Sequence, residues 1–79
     1  MEKLFTIEWN QKEENVEVHL NESGITYLRN VLNKLVEANI QDHIHLMTPN
    51  WGGAELTQEK QNQSNDVKLI NHLKIVYWK

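Results

Sequence analysis

The chain of 79 residues has no cysteine, a single proline and only three glycines. Without cysteine, neither disulfides nor thiolate metal sites can stabilise the fold. No apolar run approaches the roughly 20 residues that a membrane-spanning helix needs. No apolar signal-peptide core follows residues 1–4, so we expect a cytoplasmic protein that does not associate with membranes.

Basic residues are also scarce. Eight lysines and arginines stand against eleven acidic residues, which gives a net charge of −3. Arg29 is the sole arginine, and the lysines are scattered along the chain. Because nucleic-acid binding depends on clustered Lys and Arg side chains that neutralise phosphates, we expect no nucleic-acid partner. A mildly acidic surface is compatible with ordinary solubility and with docking onto a basic protein.

The length predicts one domain, residues 1–79. A domain of this size buries only about 60% of the surface of its unfolded chain, so its stability is expected to be small. Self-association is one common way in which such a domain completes its core.

Two periodicities predict the secondary structure. Apolar and polar residues alternate over 4–10 and 16–20, which predicts two strands, and the polar residues between them predict a hairpin connection. The spacing then becomes helical, with one apolar stripe and Val31 at its flank. The residues of the stripe are Ile25, Leu28, Leu32, Leu35 and Val36. Asn21 or Ser23 can cap the start of this helix, and Asn39 suits its end.

Alternation returns over residues 43–47, which predicts a third strand. Residues 57–66 are polar throughout and predict a mobile loop. The last segment predicts a strand around 72–78, extended through a bulge or bend at Asn71. The order β-β-α-β-β indicates an α+β domain with one antiparallel four-stranded sheet and one helix packed on one face.

This layout sorts the strand side chains onto two faces. The face towards the helix carries Phe5, Trp9, Val18, Leu46, Ile75 and Tyr77. The opposite face collects all four histidines, and its residues are Thr6, Glu8, Glu17, His19, His43, His45, Met47, His72, Lys74, Val76 and Trp78. A sheet face that is half polar and half apolar is typical of a partner or dimer surface, and the alternative is a plain solvated face.

The histidines also raise the question of a metal site. His43 and His45 are two residues apart on one strand, so both rings can point the same way, and His19 or His72 could complete a site. No carboxylate accompanies them in a recognised ligand pattern, so the sequence predicts neither a metal nor another cofactor. It also predicts no enzyme, since no nucleophile stands beside a base and an orienting group.

The segment 48–56 predicts a tight turn. Pro49 presets the backbone for a turn, and Gly52 and Gly53 permit positive φ or close backbone approach. Trp51 is then either a plug over one end of the core or an exposed anchor for a partner. Glu55 could act as a general base near His45, but a hydrogen bond that fixes the loop is the simpler interpretation. The candidate partner-binding residues are Trp51, Glu55, His19, His43, His45, Met47, His72 and Trp78.

The string DHIHLMTPNWGGAELTQE at 42–59, followed by NHLKIVYW at 71–78, resembles the immunity protein 32 family. Members of that family are predicted immunity partners of toxins in bacterial polymorphic toxin systems. The resemblance covers essentially the whole chain, because length and the β-β-α-β-β order also agree. Its specific parts are His43, His45, Leu46, Thr48, Pro49, Trp51, Gly52, Gly53, Glu55, Leu56 and residues 71–75.

The resemblance implies a protein that binds and neutralises a cognate toxin protein, and it carries over no contact residues. The residues alone leave a second hypothesis open. In that hypothesis the chain is a small homodimeric module whose open sheet face serves self-association.

Overall fold

The computed structural model describes residues 2–79 and has the predicted α+β character. Every predicted element is present, within one or two residues of its predicted position. In chain order the elements are β1 (Phe5–Asn10), β2 (Asn15–Leu20), α1 (Glu22–Glu37), β3 (Asp42–Met47), a 3-10 turn (Pro49–Trp51), β4 (Val67–Ile70) and β5 (His72–Tyr77).

The prediction of a single four-stranded sheet is wrong. The strands form a three-stranded sheet of order β2-β1-β4 and a two-stranded ribbon, β3-β5, and all pairs are antiparallel. The C-terminal segment divides at Asn71, because β4 pairs with β1 whereas β5 pairs with β3. Thr48 holds this bend: its N–H donates to the Asn71 carbonyl at 3.0 Å, and its Oγ1 donates to Asn71 Oδ1 at 2.7 Å.

Asn71 also shifts the alternation of the last segment. Ile70 lies opposite Ile7 and packs on the core, so Val67 and Leu69 face the other side of the sheet. After Asn71, the core side is taken by the odd-numbered residues of β5, beginning with Leu73. The sequence predicts that Val67 and Leu69 share one phase with Leu73 and Ile75, interrupted only at Asn71, whereas in the structure the first two face away from the core and the last two face it.

The core lies between the two sheets and the helix. Its buried residues are Phe5, Ile7, Leu46 and Leu56. The partly buried side chains packed against them come from all three layers: Leu20, Tyr27, Leu28, Ile44, Ile70, Leu73 and Ile75. Val18, predicted to face the helix, does lie on that side but is 49% exposed, because the helix covers little of β2.

The predicted ends of α1 are confirmed, with Asn21 as the N-cap and a left-handed Asn39 after the helix (φ 56°). Its predicted apolar stripe is only partly right. Gly24 and Leu35 are buried, and at about 100° per residue they mark the inward side of the helix. The other side of the stripe is exposed and consists of Ile25, Leu32 and Val36.

No helix within residues 2–79 has the length and apolar character that crossing a membrane requires.

Candidate functional site

Three of the four histidines lie together on the side of β3-β5 that faces away from the core. We call this surface the histidine face, and it consists of His43, His45, Met47, His72, Lys74 and Val76, with Trp51 and Trp78 at its two ends. Strand pairing aligns these side chains, since His43 lies opposite Val76, His45 opposite Lys74, and Met47 opposite His72.

The rings of the histidine face touch one another in a row. Nδ1 of His45 and Nε2 of His72 are 2.7 Å apart, and the centroids of the two rings are 4.9 Å apart. His43 meets His45 edge-on at 5.0 Å, and Trp51 extends the row beyond His72 at 6.0 Å. The histidines therefore form one continuous aromatic surface with Trp51.

His45 is the perturbed member of the row. Packing removes water from part of its ring and lowers its pKa below the usual 6.5. The positive charges that His72, His43 and Lys74 can carry lower this pKa further. Both effects favour the uncharged form of the His45 ring.

Trp51 is 58% exposed, so its interpretation as a plug over the core is wrong. The turn that carries it is built as predicted: Pro49 opens a 3-10 turn, and Gly52 ends it in the left-handed conformation (φ 86°). Gly53 lies so close to the Met47 backbone that a Cβ would be 2.5 Å from the Met47 carbonyl oxygen. The core is instead closed by Leu56, which is 1% exposed.

Trp78 lies at the other end of the histidine face and is 74% exposed. It follows directly on Tyr77, the last residue of β5, and in sequence it keeps the two-residue spacing of His72, Lys74 and Val76. Two exposed tryptophans thus bracket the histidines.

Glu55 does not belong to the histidine face. Its Oε1 accepts the N–H of Met47 at 3.2 Å, and its Oε2 accepts the N–H of Ala54 at 3.0 Å. The hydrogen bonds to these two backbone groups lower the pKa of Glu55, and the nearby Lys3 ammonium lowers it further. The predicted hydrogen bond that fixes the loop is confirmed.

His19, the fourth histidine, lies in a different cluster on the far side of β1 and β2. Its Nε2 is 3.0 Å from Glu17 Oε1 and 3.5 Å from Glu8 Oε1. Glu8 and Glu17 face each other directly across the strand pair. The prediction that all four histidines share one surface is therefore wrong.

The cluster around Glu8 fastens the loop 57–66 to the sheet, and we call it the glutamate clasp (Glu8, Asn10, Glu17, His19 and Asn62). The Glu8 side chain is 0% exposed and accepts the backbone N–H groups of Gln61 at 2.6 Å and Asn62 at 3.0 Å. Amide groups of Asn10 and Asn62 donate to Glu17, and these bonds, with His19, lower the pKa of Glu17.

The loop 57–66 has no helix or strand, as predicted, but its expected mobility is not what its contacts indicate. Thr57 is bonded to β1 through its N–H, which donates to the Phe5 carbonyl, and through its Oγ1, which accepts the Phe5 N–H. Together with the glutamate clasp, these bonds cover the face that the sequence predicts to be open at Thr6 and Glu8. The sequence does contain one sign that this face is covered. The predicted hairpin places Glu8 opposite Glu17, and two like charges directly opposite each other are destabilising unless other groups bond to them.

A cleft of about 440 Å³ lies beside this loop, between the N-terminal residues and the segment 54–59. Its one lysine, Lys3, donates to the carbonyl oxygens of Ala54 and Glu55 and lies 3.9 Å from the centroid of the Tyr27 ring. Lys3 thus serves the packing of the loop.

No protein-family model, curated protein or solved structure matches the chain.

Proposed function

We propose that the chain is a small immunity-type protein that binds and neutralises a cognate bacterial toxin protein through its histidine face. The observation that carries the proposal is the pair of exposed tryptophans, Trp51 and Trp78, at the two ends of that face. Exposed tryptophans are the side chains that most often dominate the energetics of protein interfaces.

The dimensions of the histidine face suit a protein partner. At about 3.3 Å per residue, the strand from His72 to Trp78 extends about 20 Å. Between the tryptophans lie imidazole rings that donate and accept hydrogen bonds, and the apolar Val76, which is 41% exposed. Aromatic anchors with adaptable polar groups between them are the composition expected of a recognition surface.

The charge of the histidine face points to the chemistry of its partner. Lys74 is the single formally charged residue of the histidine face, although the whole chain carries −3. The Asp42 carboxylate borders the face, 3.9 Å from His43 Nδ1, and the other acidic residues, which first suggest a basic partner, lie elsewhere. We infer that the toxin presents an apolar or acidic surface to this face.

The experiment is rescue of cells that express the product of the neighbouring open reading frame. We expect the chain to protect such cells and to co-purify with the toxin, and the double substitution Trp51→Ala with Trp78→Ala to abolish both. Val36→Ala is the matched control, since it truncates an exposed apolar side chain on the helix. Failure of the unaltered chain to protect, or full protection by the double variant, contradicts the proposal.

A second candidate function is self-association, favoured by exposed apolar side chains away from the histidine face. Val16 and Val18 are exposed on the helix side of β2, and Ile25, Leu32 and Val36 are exposed on α1. Light scattering on dilute protein tests it. A species that stays at the 9.4 kDa mass of one chain at every concentration contradicts self-association.

A further inference from the structure

The pairing of His45 with His72 has a second consequence, which is separate from toxin binding. Within residues 2–79, the only hydrogen-bond partner of either ring is the other ring. No carboxylate or backbone carbonyl orients them. The two imidazoles are brought together by the β3-β5 pairing, in which His45 and His72 occupy diagonal positions.

We propose that His45 and His72 bind one divalent transition-metal ion of the kind that prefers imidazole ligands, with Cu²⁺ bound most tightly. The ligand atoms are Nδ1 of His45 and Nε2 of His72. Water completes the coordination, because His45 is exposed and the face is open to solvent.

The two nitrogens are close enough for one ion to bridge them after a rotation of the rings. Two nitrogens at about 2.0–2.1 Å from one ion are about 2.9 Å apart as neighbours in a square-planar site and about 3.3 Å apart in a tetrahedral one. The observed 2.7 Å is a hydrogen-bond distance between rings that point at each other, so both rings have to turn to direct their nitrogens at an ion. The preference for Cu²⁺ follows from its tighter binding of nitrogen ligands than that of Zn²⁺ or Ni²⁺.

Binding leaves the net charge of the two rings unchanged. In the His45–His72 hydrogen bond, one of the two facing nitrogens carries the proton. When both facing nitrogens bind the ion, that proton moves to the outer nitrogen of the same ring, and both rings remain neutral.

The neighbouring residues define the limits of the site. Among the described residues, the nitrogens of His43, His45 and His72 do not all lie within 4.8 Å of one another, so His43 is not a third ligand. Lys74 lies opposite His45, and its ammonium opposes a bound cation. Removing this charge should therefore tighten binding.

The glutamate clasp is the competing location for a metal. Donor atoms of Glu8, Glu17 and His19 lie within 4.8 Å of one another. Each of the four carboxylate oxygens, however, already accepts at least one N–H. A cation there has to break the bonds that hold the loop, so we assign the clasp to loop attachment.

The test is titration of the untagged chain with Cu²⁺ alone, and separately with Zn²⁺ alone, followed by calorimetry. Electron paramagnetic resonance then identifies the ligands of bound Cu²⁺. We expect one equivalent of Cu²⁺ with two nitrogen ligands, quenched Trp51 fluorescence and weaker binding of Zn²⁺. Loss of a group that only hydrogen-bonds to a metal ligand commonly costs about 10–100-fold in metal affinity. Loss of a ligand itself should cost no less, so we expect His45→Ala and His72→Ala each to weaken binding at least about tenfold.

Three variants separate this site from its alternatives. His19→Ala should leave Cu²⁺ affinity unchanged, Lys74→Gln should raise it, and His45→Asn should lower it while keeping a polar side chain on the strand. Absence of saturable binding, insensitivity to both His45 and His72 substitutions, or loss of binding in His19→Ala overturns the proposal. The measurement needs no toxin, so its outcome is distinct from that of the proposed function.

Discussion

Asn21 is a single side chain that joins the first strand to the helix. Its Oδ1 accepts the N–H of Gly24 at 2.8 Å and that of Leu4 at 3.0 Å, and its Nδ2 donates to the Glu2 carbonyl at 2.6 Å. Its backbone N–H also donates to the Leu4 carbonyl. The side chain of an ordinary N-cap bonds only to free N–H groups of the helix, whereas that of Asn21 also bonds to the segment that leads into the central strand β1.

Asn21→Ala should therefore cost more than the loss of a typical cap. Cap removal costs about 1 kcal/mol, and leaving the Leu4 N–H without a partner adds about 1–2 kcal/mol. Urea denaturation measures the change in the free energy of unfolding. Asn30→Ala, on the exposed side of α1, is the matched control and should stay within about 0.5 kcal/mol. Equal effects of the two substitutions would contradict the joining role of Asn21.

Gly24 gives a second test at the same point. Alanine normally favours a helix over glycine by about 1 kcal/mol. A Cβ at Gly24, however, would lie 1.9 Å from the Leu4 carbonyl oxygen, which is backbone and cannot rotate away. We expect Gly24→Ala to destabilise the protein by about 1–3 kcal/mol or more. A raised melting temperature would show that the strand and helix do not pack this closely.

At the scale of elements, the loop 57–66 acts as a third layer over the sheet β2-β1-β4. The central strand β1 is buried on both faces, which explains why Thr6 and Glu8 are as inaccessible as Phe5. One face of β1 packs on the apolar core, and the other is covered by a polar segment whose backbone N–H groups end on a buried carboxylate. The loop therefore contributes burial without any apolar stripe of its own.

Removing the Glu8 carboxylate should release this layer. Glu8→Leu leaves the Gln61 and Asn62 N–H groups without their acceptor, which costs about 1–3 kcal/mol when such groups are not well solvated. Hydrogen exchange should speed up at these two amides while the β3-β5 amides keep their protection. Glu8→Gln retains one carbonyl oxygen as an acceptor, so exchange at Gln61 and Asn62 should be faster than in the unaltered chain and slower than in Glu8→Leu. Fast exchange at Gln61 and Asn62 in the unaltered chain would contradict the attachment of the loop.

The exposed side of α1 belongs to this scale as well. The helix turns Gly24 and Leu35 towards the sheets, and so one side of its apolar stripe has nothing to cover it. A 16-residue helix over a core this small has more apolar surface than the strands can bury. The stripe, together with Val16 and Val18 on β2, is the basis for the self-association described above.

At the scale of the whole molecule, two carboxylates make stability depend on pH. Hydrogen bonds lower the folded-state pKa values of Glu17 and Glu55 below the ordinary 4.5. A lowered pKa means that the folded state favours the charged form, so the contribution is fully present above about pH 4.5 and is lost as the pH falls through the folded-state values.

We therefore expect the melting temperature to fall as the pH drops below about 4.5, the ordinary pKa of a glutamate. Thermal denaturation from pH 7 to pH 3 measures this. Glu17→Gln and Glu55→Gln should each flatten the profile, whereas Glu37→Gln, exposed at the end of the helix, should leave its shape unchanged. A profile that is equally steep in all variants would show that other groups control acid stability.

The parts of this fold that follow from local patterns could be predicted from the sequence. Alternation located the strands, Asn21 and Asn39 marked the ends of the helix, and the 48–56 turn follows from Pro49, Gly52 and Gly53. Strand order could not be predicted, because it depends on contacts between residues far apart in sequence, such as the hydrogen bonds of Thr48 to Asn71.

The candidate site, too, could be predicted only where it depends on local patterns. Alternation alone placed His43, His45, Met47 and His72 on one face. It could not show that His19 belongs elsewhere, because that depends on the separation of the sheets and on a loop without any pattern. Nor could it show which two rings approach closely, since this depends on the register of β3 with β5.

The bend at Asn71 bears on how the protein is made. Residues 67–77 supply the strand that completes each sheet, β4 for one and β5 for the other. A nascent chain that has emerged only as far as residue 66 can form the β1-β2 hairpin and the helix, but β3 then has no partner strand and the core lacks Ile70, Leu73 and Ile75. Neither sheet can reach its final form during synthesis until this last segment leaves the ribosome, so we expect the domain to fold in one step after that point.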